Sequence, residues 1–141
     1  MAYQGDVVAD FYTALHAHDW DRLAATMSDD VVRIGVRDNE ADTCRGKDRY
    51  VEYVKSVIGR FERHAMQVQR IIYSPDGKFA TAETLETIQP PGGDPIYLHN
   101  LKLIEIDDGG LIKRFDQFWK IPPTMPPDWI TVEAVEADSQ S

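Results

Sequence analysis

The sequence predicts a single α+β domain, in which helices from the first half of the chain cover an antiparallel sheet from the second half. Three observations support this class. A chain of 141 residues suits one hydrophobic core. Its apolar residues recur at a helical period up to about Arg63 and alternate with polar residues afterwards. Turn sequences join the alternating segments, as they do in hairpins of antiparallel strands.

Three helices are expected in the first half of the chain. Asp6 is a good N-cap, and residues 7–15 then place their apolar side chains on one face. A short second helix starts at Asp19. A third starts at about Asp48 and has apolar side chains at helical spacing as far as Phe61.

Five strands are expected. A short one at residues 31–36 precedes a polar loop at residues 37–46. Four longer strands follow, where apolar and polar residues alternate. Turn-forming sequences rich in Gly, Pro, Asp and Ser separate them. The four longer strands are expected at residues 66–73, 79–89, 96–106 and 111–121.

We assign residues 1–121 to the domain and residues 122–141 to a proline-rich tail. Trp129, Ile130, Val132 and Val135 make the tail apolar enough to fold back over an opening of the domain. Residues 137–141 are expected to be loose and disordered at the end.

The charge of the chain argues against two classes of partner. Fifteen basic residues stand against 24 acidic ones, which gives a net charge of −9. Nucleic-acid binding starts from a clustered positive field, and an anionic membrane surface attracts basic segments. We therefore expect neither a nucleic acid nor a membrane as a partner.

Cysteine and histidine usage gives no sign of a disulfide or a metal. Cys44 is the only cysteine, so no internal disulfide or CxxC metal motif is possible. His16 and His18 stand two apart on a helix and do not share a face, so no metal site is expected.

Residues 1–10 lack the basic start and apolar run of a secretory signal. The cytoplasm is therefore the expected compartment.

Polar groups stand near the middle of three largely apolar strand faces. Alternation places Glu86, Asn100 and Asp116 at these positions. Alternation alone does not decide which face is buried, because the opposite faces are also apolar. The opposite faces carry Phe79, Leu85, Leu101, Leu103, Phe115 and Trp119.

A shared cavity would give the two acids a chemical use. A carboxylate that faces packed helices must be paired, hydrogen-bonded or protonated. Two carboxylates in one apolar pocket push their pKa values apart, so that one is an acid and the other a base near neutral pH. The alternative is that Glu86 and Asp116 are solvated residues of the outer sheet face.

Three segments resemble a known superfamily. Residues 11–20 (FYTALHAHDW) look like its first helix and turn, and residues 27–31 (MSDDV) look like the entry to its first strand. Residues 109–119 (GGLIKRFDQFW) look like its last strand, where an acid precedes aromatics. With these motifs and this order of elements, the chain resembles the SnoaL-like, NTF2-like superfamily of polyketide cyclases, limonene-epoxide hydrolases and ketosteroid isomerases. The resemblance implies a cone, in which a strongly curved antiparallel or mixed sheet wraps around three N-terminal helices.

The resemblance also implies site residues. Asp116 falls where cyclases and epoxide hydrolases keep a cavity acid, and Glu86 falls where the epoxide hydrolases keep their second acid. Asn100 falls close to the proton-donating acid of the steroid isomerases, and Tyr12 could hydrogen-bond a carbonyl. The expected substrate-binding residues are Leu15, Arg33, Val57, Phe61, Met66, Thr84, Leu98, Phe118 and Trp129.

The chain departs from two of these enzymes. Epoxide hydrolases of this type place an arginine between their acids, where this chain has Thr84. They hold water with a tyrosine and an asparagine on the first strand, where it has Arg33 and Gly35. The steroid isomerases keep their base at a position that again matches Gly35. Arg33 or Arg114 could replace the missing guanidinium by reaching in from another strand and pairing with Glu86 or Asp116. Either could instead extend to the rim of the cavity, which is what we expect for Arg114.

The leading prediction is a cofactor-independent cyclase or isomerase that acts on a polyketide, terpenoid or steroid-like compound. Asp116 would move the proton, Glu86 would tune its pKa, and Asn100 with Tyr12 would bind the oxygen where charge develops. The alternatives are epoxide hydrolysis and a non-catalytic binding or dimerisation module. The resemblance also implies a homodimer through the outer sheet face, with Leu103, Phe115 and Trp119 contributing.

Overall fold

The computed structural model describes residues 3–139 and confirms the α+β class. In chain order, the first half holds α1 (Val7–Ala17), α2 (Trp20–Ala24), β1 (Met27–Ile34), a 3₁₀ turn (Glu40–Asp42), β2 (Thr43–Arg45) and α3 (Lys47–Arg60). The second half holds β3 (Arg63–Tyr73), β4 (Phe79–Gln89), β5 (Ile96–Ile106), β6 (Ile112–Trp119), a 3₁₀ turn (Asp128–Ile130) and α4 (Val132–Ser139).

The first two helices begin where the sequence predicts. The Asp6 carboxylate accepts a hydrogen bond from Ala9 N at 3.0 Å, and the Asp19 carboxylate accepts one from Arg22 N at 3.2 Å. Each side chain thus satisfies an amide that has no partner within its own helix. Between residues 3 and 139, no helix is long and apolar enough to cross a membrane.

Within residues 3–139, six strands form one mixed sheet in the order β2-β1-β6-β5-β4-β3. The predicted hairpins join β3 to β4, β4 to β5 and β5 to β6 in antiparallel pairs. β1 lies parallel to β6, which brings the first and last long strands together. β2 pairs antiparallel with β1 and occupies the segment predicted as a polar loop. Three residues give too short a pattern for β2 to be predicted.

A bulge between β5 and β6 reverses the faces of the last strand. Ile106 pairs with Ile112, but Glu105 pairs with Arg114, so β6 carries one extra residue at this point. An inserted residue moves every later side chain to the opposite face. Phe115 is therefore buried in the core, and Asp116 lies on the other side of the sheet.

The core lies between the helices and one face of the sheet. The Phe115 ring packs against Phe11 of α1 and Tyr50 of α3, with centroid separations of 5.5 and 5.2 Å. The tail joins this core, because Val132 and Val135 of α4 are fully buried. Residues 137–139, which the sequence predicts to be loose, continue α4. Residues 140 and 141 lie outside the described residues.

Candidate active site

A cavity lies between α3 and the inner face of the sheet, and Ile130 of the tail forms part of its wall. Its free volume is about 80 Å³, well below the roughly 300–1,000 Å³ of sites that take drug-sized ligands. The apolar part of the wall includes Leu15, Val54, Val57, Ile58, Leu98 and Trp119. The ionisable groups that share it include Arg33, Asp42, His64, Glu86 and Lys102.

Glu86 extends from β4 and is held at both carboxylate oxygens. His64 Nε2, at the start of β3, lies 2.8 Å from Oε2. Asn100 Nδ2, on β5, donates to Oε1 at 2.9 Å. The Glu86 side chain is 15% exposed and lines the cavity. Two neighbouring strands therefore fix the direction of the carboxylate.

These contacts keep Glu86 ionised. Burial alone would raise the pKa of the carboxyl group, because it disfavours the charged form. The contact with His64, the charge of Lys102 and the Asn100 hydrogen bond outweigh burial, and the pKa of Glu86 falls below its usual value. At neutral pH the site therefore holds a carboxylate that can accept a proton.

Lys102 is a buried cation on β5, two residues beyond Asn100. It is 4% exposed, and its Nζ lies 5.2 Å from the centroid of the Tyr12 ring. Burial lowers the pKa of Lys102 to about 8, with the Glu86 charge opposing this change and the Arg33 charge adding to it. Across the described chain, no carboxylate lies within ion-pair distance of the Lys102 ammonium.

Arg33 forms a second buried charge, but it is paired. Its Nη1 donates to Asp42 Oδ1 and to the Asp42 carbonyl oxygen, both at 3.1 Å. Both side chains are almost fully buried, and the guanidinium lies 4.9 Å from the centroid of the Tyr53 ring. Arg33 therefore reaches the cavity, as one of the two predictions for this residue has it, but its partner is Asp42 rather than Glu86.

The tail closes one side of the cavity, as the sequence indicates. Tyr53 OH donates to the Ile130 carbonyl oxygen at 2.6 Å. Trp129 packs against Phe61 with a centroid separation of 5.5 Å. Further along, the Arg49 guanidinium makes two hydrogen bonds to the Glu136 carboxylate, at 2.8 and 2.7 Å. The tail is therefore held against α3 at several points along its length.

The structure brings part of the predicted site together. Glu86 lines the cavity, and Asn100 is bonded to it. Five predicted substrate-binding residues also lie in the cavity wall. They are Leu15, Arg33, Val57, Phe61 and Leu98.

Asp116 and Phe118 are placed differently from the prediction. Asp116 lies with Leu103 and Arg114 on the outer sheet face, and Arg114 Nη2 is 3.7 Å from its carboxylate. Phe118 is 50% exposed and lies on that face too. The bulge explains both errors, because the prediction extended one alternation through β6. Arg114 is exposed on the outer face, not at the cavity rim.

The remaining predicted residues lie next to the cavity rather than in its wall. Tyr12 is buried under Lys102, and within the described chain its hydroxyl has no hydrogen-bond partner. Thr84 and Met66 are buried residues of β4 and β3. Trp129 supports the wall through Phe61. The Asn100 side-chain amide donates to Glu86 Oε1.

Sequence reasoning missed His64, Lys102 and Asp42. Lys102 could have been found, because it shares the face of β5 that carries Leu98 and Asn100. His64 precedes residue 66, where the alternation predicts the strand to begin, so the pattern assigns it to no strand face. Asp42 lies in the segment predicted as a loop, where no periodic pattern indicates burial.

Metal ligands are not clustered in this structure. From residue 3 to residue 139, no group of three His, Cys, Asp or Glu side chains could hold a metal ion. The nearest arrangement in the cavity is His64 with Glu86, whose polar atoms already bond one another.

Together, a mixed sheet packed on helices and an internal cavity with buried ionisable groups define an α+β protein of the NTF2-like fold. The chain belongs to the SnoaL-like domain family, whose pattern matches residues 8–115. This confirms the superfamily that the sequence motifs suggest. No protein of curated function matches the sequence.

Solved structures support the fold over most of the chain. An LEH-like epoxide hydrolase from M. tuberculosis is 23% identical, with a TM-score of 0.67 over 81% of this chain and 76% of that one. Rv0760c from the same organism, in complex with estradiol-17β-hemisuccinate, is 19% identical, with a TM-score of 0.70 over 82% of this chain and 92% of that one. An NTF2-like protein of unknown function from Exiguobacterium sp. 255-15 is 12% identical, with a TM-score of 0.69 over 82% of this chain and 98% of that one.

Proposed function

We propose that the chain is a cofactor-independent acid–base enzyme that isomerises or cyclises a mostly apolar, oxygenated small molecule. One observation carries the proposal: the Glu86 carboxylate and the Lys102 ammonium line the same apolar cavity without forming an ion pair with each other. A substrate between them would meet a proton acceptor on one side and a positive charge on the other.

The two groups suit proton transfer next to a carbonyl group. Glu86 would take a proton from the carbon beside the carbonyl, and the C–H electron pair would move toward the carbonyl oxygen. The positive charge of Lys102 would stabilise the oxygen, and Glu86 would return the proton to another carbon. His64 and Asn100 would act as positioning residues, because each bonds one oxygen of Glu86.

The size of the cavity restricts the substrate. At about 80 Å³ it suits a compound of a few carbon atoms with the tail in place. A steroid-like compound, such as the ligand of Rv0760c, would require the tail to move. We therefore propose small cyclic ketones as first probes and larger terpenoid or steroid-like ketones as second ones.

The test is a direct isomerisation assay. Cyclohex-3-en-1-one becomes the conjugated cyclohex-2-en-1-one when a proton moves, and ultraviolet absorbance reports the conjugation. The purified protein should accelerate the conversion above the buffer rate, and a steroid-like β,γ-unsaturated ketone should be tested in parallel. Recovery of every bound probe unchanged after long incubation would instead support a non-catalytic binding protein.

Epoxide hydrolysis is the second candidate, and the Arg33–Asp42 pair favours it. This pair and Glu86 line one cavity, which therefore combines an arginine with two acids. Glu86 or Asp42 would activate water, and Arg33 or Lys102 would stabilise the epoxide oxygen. Limonene-1,2-epoxide in oxygen-18 water is the probe. Oxygen-18 in a diol product would support hydrolysis, and an unlabelled isomer would support the first proposal.

A homodimer through the outer sheet face is also proposed, with corrected contact residues. Phe115 and Trp119 face inward, whereas Phe79, Leu103 and Phe118 are 42–53% exposed on the outer face. Leu103→Arg would place a charge in this apolar surface and should convert a dimer to a monomer in sedimentation velocity. Ile121→Arg, just beyond β6, is the matched control and should leave the dimer intact. A wild-type chain that sediments as a monomer would contradict the proposal.

A further inference from the structure

Lys102 differs from the other buried charges of the cavity because, among residues 3–139, its ammonium makes no ion pair and no hydrogen bond. Arg33 is paired with Asp42, and the Glu86 carboxylate accepts hydrogen bonds at both oxygens. Around Lys102, the described residues provide the face of the Tyr12 ring, 5.2 Å from Nζ, and the charge of Glu86 from beyond ion-pair distance. An unpaired ammonium in an apolar environment is costly, and losing its proton relieves that cost.

We propose that Lys102 captures aldehydes and ketones as a Schiff base through its Nζ atom. This inference deepens the proposed function, because it names carbonyl compounds as the substrate class of the same cavity. It adds a covalent bond that the isomerase proposal does not require. A carbonyl compound held in the cavity would meet a nitrogen nucleophile whose lone pair is free once the proton is lost.

The step balances without any further reagent. The Lys102 amine attacks the carbonyl carbon, and the C=O π pair moves to the oxygen. Two protons of the original ammonium leave with that oxygen as water, and one positive charge remains on the protonated imine. Glu86 lines the same cavity and can carry a proton from nitrogen to the departing oxygen.

The protonated imine would also assist the proton transfer that we propose. Its positive nitrogen accepts the electron pair from the neighbouring C–H bond more readily than a carbonyl oxygen does. Glu86 is the base in the same wall. An iminium on Lys102 would then convert to an enamine without a negative charge on oxygen.

Burial favours the neutral amine of Lys102, whereas the Glu86 charge opposes loss of the proton and the Arg33 charge promotes it. The ionisable groups that face Lys102 are Arg33 with Asp42 on the β1 side, His64 and Glu86 on β3 and β4, and the tyrosines Tyr12, Tyr50 and Tyr53 on α1 and α3. Burial lowers the pKa of Lys102 to about 8, against about 10.4 for an unperturbed lysine. At pH 7 the neutral fraction is therefore about 10²-fold larger than for an exposed lysine.

The test is reductive trapping on the intact protein. Benzaldehyde has no hydrogen beside its carbonyl group, so with sodium cyanoborohydride it reports capture alone. Peptide mass mapping should place the benzyl group on Lys102 at pH 7 at least about ten times faster than on the exposed Lys113. The wild-type protein gives this ratio, so the test does not depend on a variant that folds. Labelling of Lys102 no faster than Lys113 would overturn the inference.

The pH profile and two variants sharpen the test. Labelling of Lys102 should rise with pH and level off above about pH 8, where its ammonium has lost the proton. Glu86→Gln removes a charge that raises the Lys102 pKa, so the plateau should move to lower pH. Lys102→Arg keeps the charge and should abolish the adduct at this site, whereas Lys113→Arg should not.

The outcomes separate this inference from the proposed function. The Schiff base would be overturned if the protein isomerises a probe without forming any Lys102 adduct and the rate falls above pH 8. Lys102 would then act only through its positive charge. A Lys102 adduct without isomerisation of any probe would overturn the proposed isomerase and leave carbonyl capture intact.

Discussion

Glu86→Gln is expected to lower isomerisation of cyclohex-3-en-1-one by about 10²–10⁴-fold, the usual contribution of a positioned general base. Glutamine keeps the size and most of the shape of the side chain but cannot accept the substrate proton. The amide oxygen of glutamine can still accept one hydrogen bond, from Asn100 or from His64. The loss should therefore appear mainly in kcat, measured by absorbance at saturating substrate.

Asp116→Asn is the matched control for this variant. It removes a carboxylate of the same sheet, but on the outer face, where Asp116 faces Arg114. Turnover should stay close to wild type. Equal losses in both variants would contradict a specific role for Glu86, and a loss in Asp116→Asn alone would contradict the placement of Asp116.

Asp42→Ala is expected to cost about 3–5 kcal/mol in the free energy of unfolding, because it leaves the buried Arg33 guanidinium without a partner. The Arg33 and Asp42 side chains are only 9% and 4% exposed, so water cannot replace the lost carboxylate. Urea unfolding followed by circular dichroism measures the change.

Two further variants show whether charge is the cause. Glu40→Ala removes an exposed acid from the same 3₁₀ turn, where Glu40 pairs with Arg45, and should change stability little. Arg33→Met in the Asp42→Ala background removes the unpaired charge and should recover much of the loss. A loss in Asp42→Ala as small as that in Glu40→Ala would contradict the buried pair as described.

The sequence predicts those strands whose alternation is uninterrupted. In β4 and β5 every second residue is buried or lines the cavity, and this pattern places Glu86, Asn100 and Lys102 on one side. Apolar and polar alternation reflects burial directly, so these positions could be read from the residue types. The N-caps Asp6 and Asp19 were equally local signals.

The elements that the sequence could not predict depend on non-local contacts. The bulge in β6 is defined by its pairing with β5, and nothing in residues 112–116 marks it. Asp42 and His64 are buried through contacts with Arg33 and Glu86 on other strands. The positions of these charged residues depend on contacts between distant parts of the chain, which residue types alone do not reveal.

The most direct test of the account is deuterium exchange beside a carbonyl group in the cavity. Cyclohexanone cannot isomerise, so proton NMR in D₂O reports only the removal and return of its α-protons. Wild-type protein and Asp116→Asn should exchange these protons faster than buffer, and Glu86→Gln should approach the buffer rate. Exchange by Glu86→Gln at the wild-type rate, or wild-type exchange no faster than buffer, would contradict proton transfer by Glu86.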